Sequence, residues 1–149
     1  MQYLKAFVAG FVSVLVFHQA VVAALYGAGL TPRAPYALTP TAPFGVPQVL
    51  SSAVWGGVWG VVLWPLVMRL APRLGTWAAA VLLGAIGPSL VAWFLVAPLK
   101  GLAVAGGWRV SAMAVGLLVN GAWGLGLAVL MWLAERLRSG EAGRYGTAA

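Results

Sequence analysis

The chain has 149 residues, of which 62% are hydrophobic and 7% charged, with a mean hydropathy of +0.96. A soluble domain of this size carries about 25% charged residues, so this composition cannot clothe a globule in charge, and soluble enzymes and soluble binding modules fit it poorly. Nine basic residues against two acidic ones give +7, and the lack of cysteine removes disulfide frameworks, thiolate metal sites and cysteine nucleophiles.

Four apolar runs, 6–25, 49–68, 77–97 and 110–134, are long enough to cross a bilayer, which takes about 20 residues per helix. The first follows Lys5 and carries a small-residue stripe, Ala6, Gly10 and Val14, that ends on His18. A cleaved signal peptide is the alternative for this run, but His18 and Gln19 interrupt it and it is long for that role. The connection 26–48 contains Pro32, Pro35, Pro40, Pro43 and Pro47. Proline fixes φ and lacks an amide donor, so this stretch reads as an extended, semi-rigid loop. It is longer than antiparallel helices need, and Tyr36 and Phe44 are expected to dock it over the bundle or to meet a partner.

The second run has the stripe Ser52, Gly56 and Gly60, and places Trp55 and Trp59 four apart on one face. A tight hairpin over 69–76, with Arg69, Pro72 and Arg73, leads to the third run. That run carries Ala80, Gly84 and Pro88, and the Gly87–Pro88 step is expected to break the helix next to Ser89. After a connection over 98–109 rich in glycine, the fourth run carries Ala112, Gly116, Asn120, Gly124 and Ala128. Small residues at this spacing let helices approach closely in lipid. The tail 139–149 is polar and is expected to fray after Arg138.

These elements define an all-α integral membrane protein: a single four-transmembrane-helix bundle over 1–138 followed by a short tail. Lys5, Arg69, Arg73, Arg136, Arg138 and Arg144 fall on one side and Arg33, Lys100 and Arg109 on the other. The positive-inside rule then places both termini in the cytoplasm and the proline-rich loop outside a cell or inner membrane. The basic residues are spread over every loop and both ends, so they form no nucleic-acid patch. Gly57, Trp59, Gly60, Leu63 and Leu66 recur 64 residues later as Gly121, Trp123, Gly124, Leu127 and Leu130, which suggests two repeated helical hairpins. Trp64, Trp77, Trp108 and Trp132 are expected at the membrane interfaces, and Trp55, Trp59, Trp93 and Trp123 deeper.

The only acids, Glu135 and Glu141, lie near the C-terminus. Carboxylate pairs and membrane carboxylate relays are therefore absent from the spans, and one histidine leaves too few ligands for a metal site. Phosphate loops, metalloprotease pairs and catalytic triads are not found. The small multidrug transporters have a similar size and span count, but they rely on a membrane glutamate that this chain lacks. The polar residues of the spans are therefore the candidate site. His18, Gln19, Ser89 and Asn120 are expected at similar depths in the outer half, with Trp55 and Trp59 nearby. Burial in lipid should turn them inward, His18 within reach of Asn120.

The expected function is non-enzymatic: a transport-like or ligand-binding bundle in the lipid bilayer, with no resident cofactor. The first alternative is an accessory or assembly subunit, packing as a homo-oligomer or in a larger membrane complex through its glycine stripes and loop. The second is a haem- or pigment-binding protein using His18 as its single axial ligand.

Overall fold

The computed structural model describes residues 1–145, and among them the chain is mostly helical. Four helices, α1 (Gln2–Gly27), α2 (Gln48–Leu74), α3 (Thr76–Leu99) and α4 (Val110–Tyr145), include spans long and apolar enough to cross a membrane. They run up, down, up and down. Met1 and the one-residue turn at Gly75 lie at one end, called here the terminal end. The opposite, loop end holds residues 28–47 and 100–109. Within the long loop, β1 (Pro40–Thr41) and β2 (Val46–Pro47) pair as a two-residue antiparallel ladder.

Sequence and structure differ at the helix ends. The hairpin expected over 69–76 contracts to Gly75 alone, at φ 79°, and α2 continues through Pro65 and Pro72. A proline removes one amide donor, and the apolar pattern on either side outweighs that loss. The Gly87–Pro88 step does not break α3 either: the helix runs through it, and its register changes only at a π-helical turn over Ala92–Val96. α4 runs on past Arg138 to Tyr145, and the end of the tail, 146–149, lies outside the described residues.

Packing follows the small-residue stripes, in two seams. Along α1–α2, a Cβ added at Gly60 would overlap the Ala6 carbonyl, and one at Gly10 the Gly56 carbonyl. Along α3–α4, a Cβ at Gly124 would overlap the Ala80 carbonyl, and one at Gly84 would come within 2.7 Å of the Gly124 Cα. The two hairpins therefore close on corresponding positions: Gly56 and Gly60 in one, Asn120 and Gly124 in the other. Backbones this close exclude side chains and gain dispersion contact in their place. The hairpins join through Trp123, whose indole N–H donates to the Gly10 carbonyl (2.9 Å), while Ser13 Oγ donates to the Trp123 carbonyl (2.6 Å). Toward the terminal end the space between the helices is filled by Leu63, Trp64, Val67, Leu127 and Met131. Trp64, expected at an interface, is thus part of the core, only 3% exposed.

The outward faces are apolar. Val54, Val58, Val62, Leu82, Ile86, Leu90 and Leu118 are all exposed. Trp77 and Trp132 meet at 6.5 Å near the terminal end, with Arg136 5.2 Å above the Trp132 ring, and Trp108 meets Phe94 at 6.1 Å near the loop end.

Candidate functional site

The polar residues of the spans separate into two groups. Asn120 Nδ2 donates to Ser89 Oγ at 2.9 Å, joining α4 to α3 in mid-bundle. Ser89 is fully buried. His18 and Gln19 lie instead at the loop end of α1, under the proline-rich loop. The expected meeting of His18 with Asn120 does not occur, for a simple reason. His18 lies at the end of the stripe that faces α2, and Asn120 lies on the stripe that faces α3. Each polar residue belongs to the seam of its own hairpin.

A π-helical turn over Val14–His18 shapes the His18 region. A π-turn interrupts the regular ladder of carbonyl acceptors, and the Leu15 carbonyl within it accepts the Tyr36 hydroxyl at 2.9 Å. The Tyr36 amide donates to Gln19 Oε1, also at 2.9 Å. These two bonds dock the loop on α1. They hold Tyr36 at φ 51°, in the left-handed region that non-glycine residues rarely adopt. The loop is tied to α2 as well, since the Gln48 and Val49 amides donate to the Thr39 and Ala37 carbonyls at 3.0 Å each. Two of the orphan amides at the start of α2 are satisfied in this way.

Between α1, the start of α2 and residues 33–37 lies a cavity of about 20 Å³. That is room for about one water-sized group. His18, Gln19, Arg33, Gln48 and Ser52 supply its polar lining, with Val49 among the apolar contributors. Gln19 is only 6% exposed. Because its Oε1 accepts the Tyr36 amide, its NH₂ group is the free end of the side chain. His18 Nδ1 is buried and has no hydrogen-bond partner. The exposed Arg33 brings a cation to the rim. Glu135 stands at the far end of α4, so no carboxylate of the described residues lines the cavity.

The two tryptophans expected beside this site do not line it. Trp55 is 62% exposed on the outward face of α2, whereas Trp59 turns toward α3 and packs near Gly87. Their four-residue spacing places them on one side of the helix, but the α2–α3 contact divides that side. Arg33 and Gln48 were not singled out in the sequence. Gln48 follows Pro47 at the first position of α2, and Arg33 is the single cation of the loop, yet neither signal points to a site without the fold. Among the described residues no cluster of three His, Cys, Asp or Glu side chains forms that could hold a metal ion. A second cavity, an apolar groove of about 360 Å³ between α1 and α4 at the terminal end, is lined by Leu4, Lys5, Val8, Val12, Leu130 and Ala134.

No family model matches the chain, and no curated protein and no solved structure matches it at a significant level.

Proposed function

We propose that the chain is a four-span integral membrane protein, cytoplasmic at both termini, that binds a ligand in the cavity beneath its outer loop and performs no chemistry on it. The membrane reading is supported by the outward faces. Only 22–39% of each span is covered by the rest of the chain, and apolar surface of that extent needs an apolar solvent. The aromatic pairs near both ends match the girdles found at bilayer interfaces.

The binding reading is carried by one observation. Five hydrogen-bonding side chains from α1, the loop and α2 converge on one cavity, and among them the buried His18 Nδ1 lacks a protein partner. Burying a polar group without a partner costs roughly 1–3 kcal/mol, and a ligand relieves that cost. The apolar filling of the bundle below, with Trp64 and Met131, favours binding over passage. The cavity's size gives no support to the haem or pigment alternative.

Native mass spectrometry of the protein extracted in mild detergent tests the proposal. Wild-type protein should carry a non-covalent adduct that His18→Leu and Gln48→Leu each lose while keeping the wild-type unfolding temperature within a few degrees. A bare wild-type chain, or an adduct indifferent to both changes, overturns it.

A second reading, an accessory subunit in a homo-oligomer or larger complex, is favoured by the loop itself. Phe44 and Leu38 are 88% and 72% exposed there, an apolar surface that a partner would cover. Stoichiometric co-purification of another membrane protein, lost on Phe44→Ser, would support that reading over the first.

A further inference from the structure

Every polar group that faces the cavity without a protein partner can donate a hydrogen bond, and the one charge among them is positive. The Gln19 NH₂ is fixed as a donor, because the Tyr36 amide occupies its oxygen. Arg33 has only donors, Ser52 and Gln48 each supply one or more, and the imidazole donates from one nitrogen in its neutral form. The setting adds to this. The cavity abuts the first turns of the 27-residue helix α2, whose axis dipole presents its positive end there. No acidic residue occupies the first turn of that helix. The loop carbonyls of Ala37 and Thr39 already serve the first two amides of α2 and so are turned to the backbone. Gln48 Oε1, the Ser52 hydroxyl and one imidazole nitrogen can also accept, but the guanidinium and the helix dipole favour a ligand oxygen that carries negative charge. An anionic oxygen would find several donors and a guanidinium.

We infer that the cavity takes the oxygen of a phosphate or carboxylate, which reaches it from the outer face past Arg33. The inference rests on the ligand-binding reading above and specifies the ligand's chemistry. The volume sets the geometry: one oxygen sits between Gln19, Ser52 and His18, and the rest of the anion stays at the rim on Arg33. Two sources supply such a group, a free anion in the medium and the headgroup of an anionic lipid in the outer leaflet.

The chain's single histidine allows a direct test, because it gives one imidazole signal from the untagged, full-length protein. With ¹⁵N-labelled histidine and a neutral maltoside detergent, sodium phosphate is titrated against sodium chloride at matched ionic strength. In parallel, nanodiscs of phosphatidylglycerol are compared with nanodiscs of an uncharged glycolipid. The inference predicts a saturable shift of the His18 resonance with phosphate, with phosphatidylglycerol, or with both. A shift with phosphate identifies a free anion as sufficient, and a shift confined to phosphatidylglycerol identifies the lipid headgroup. Arg33→Gln, a change at an exposed loop position, should weaken either response about tenfold, and Ser52→Ala should weaken it without altering the unfolding temperature. If neither anion source moves the signal, and sodium acetate titrated in the same way does not either, while the native adduct persists, the ligand is not one of these anions and this inference fails while the binding reading stands. If the signal is unmoved and no adduct exists, both fail.

Discussion

Tyr36 occupies a left-handed conformation that costs a non-glycine residue roughly 1–3 kcal/mol, and two hydrogen bonds to α1 hold it there. Tyr36→Phe removes the bond to Leu15 and should cost about 1 kcal/mol. The loss should be local, seen as faster amide hydrogen exchange over residues 33–39 with little change in the helices. Unchanged exchange in the loop would mean that the hydroxyl does not hold it. The Asn120–Ser89 bond makes a separate prediction. A double-mutant cycle of Asn120→Ala and Ser89→Ala should return a coupling of about 0.6 kcal/mol, the average for interhelical hydrogen bonds in membranes, and no more than about 1.7 kcal/mol. Zero coupling would contradict the bond. The sequence marks His18, Gln19, Ser89 and Asn120 as polar residues that need partners, but it does not say which meet. Two nearly identical small-residue seams exist, and only the pairing of helices assigns each residue to one. Ser13 was invisible as a functional group, since a serine in a small-residue helix reads as packing until Trp123 is found above it.

At the scale of the elements, the glycine seams hold the helices in place, and their energetics separate one glycine from another. At Gly60 a Cβ meets backbone, which cannot move aside, whereas at Gly121 the nearest atoms are the Ala85 Cβ at 3.5 Å and a Val81 methyl at 3.8 Å, ordinary contact distances. Gly60→Ala should therefore destabilise the bundle by about 1–3 kcal/mol through overpacking. Gly121→Ala should be neutral or stabilising by up to about 1 kcal/mol, because alanine is the better helix former. Thermal unfolding in detergent distinguishes them, and equal effects would contradict the seam. The four helices and their small-residue stripes are legible in the sequence, because span length and residue spacing depend on local pattern alone. The π-turn at Val14–His18 is not legible. Its residues are ordinary helix-compatible apolar ones, and what accompanies it, the docking of Tyr36 on the Leu15 carbonyl, comes from a segment distant in sequence. The one-residue turn at Gly75 was hidden for the opposite reason, since Pro72 reads as a helix end and the helix absorbs it.

The whole molecule is a pair of tight hairpins under a docked loop, with its polar opening at one end. The proposed topology puts the cationic terminal end in the cytoplasm. A reporter fused after Ala149 should then be active only inside, and one inserted near Thr39 only outside; the reverse pattern would invert the assignment of the cavity. The cavity beside Ser52 lies at the loop end, which the proposed topology places outside, and the Asn120–Ser89 pair does not share it. The absence of native cysteine allows this to be measured with single substitutions in intact cells. Ser52→Cys should react with a membrane-impermeant thiol reagent added outside, and the fully buried Ser89→Cys should not. A Cys at position 52 that stays unreactive, or that reacts only after the cells are opened, would contradict an outward-facing site.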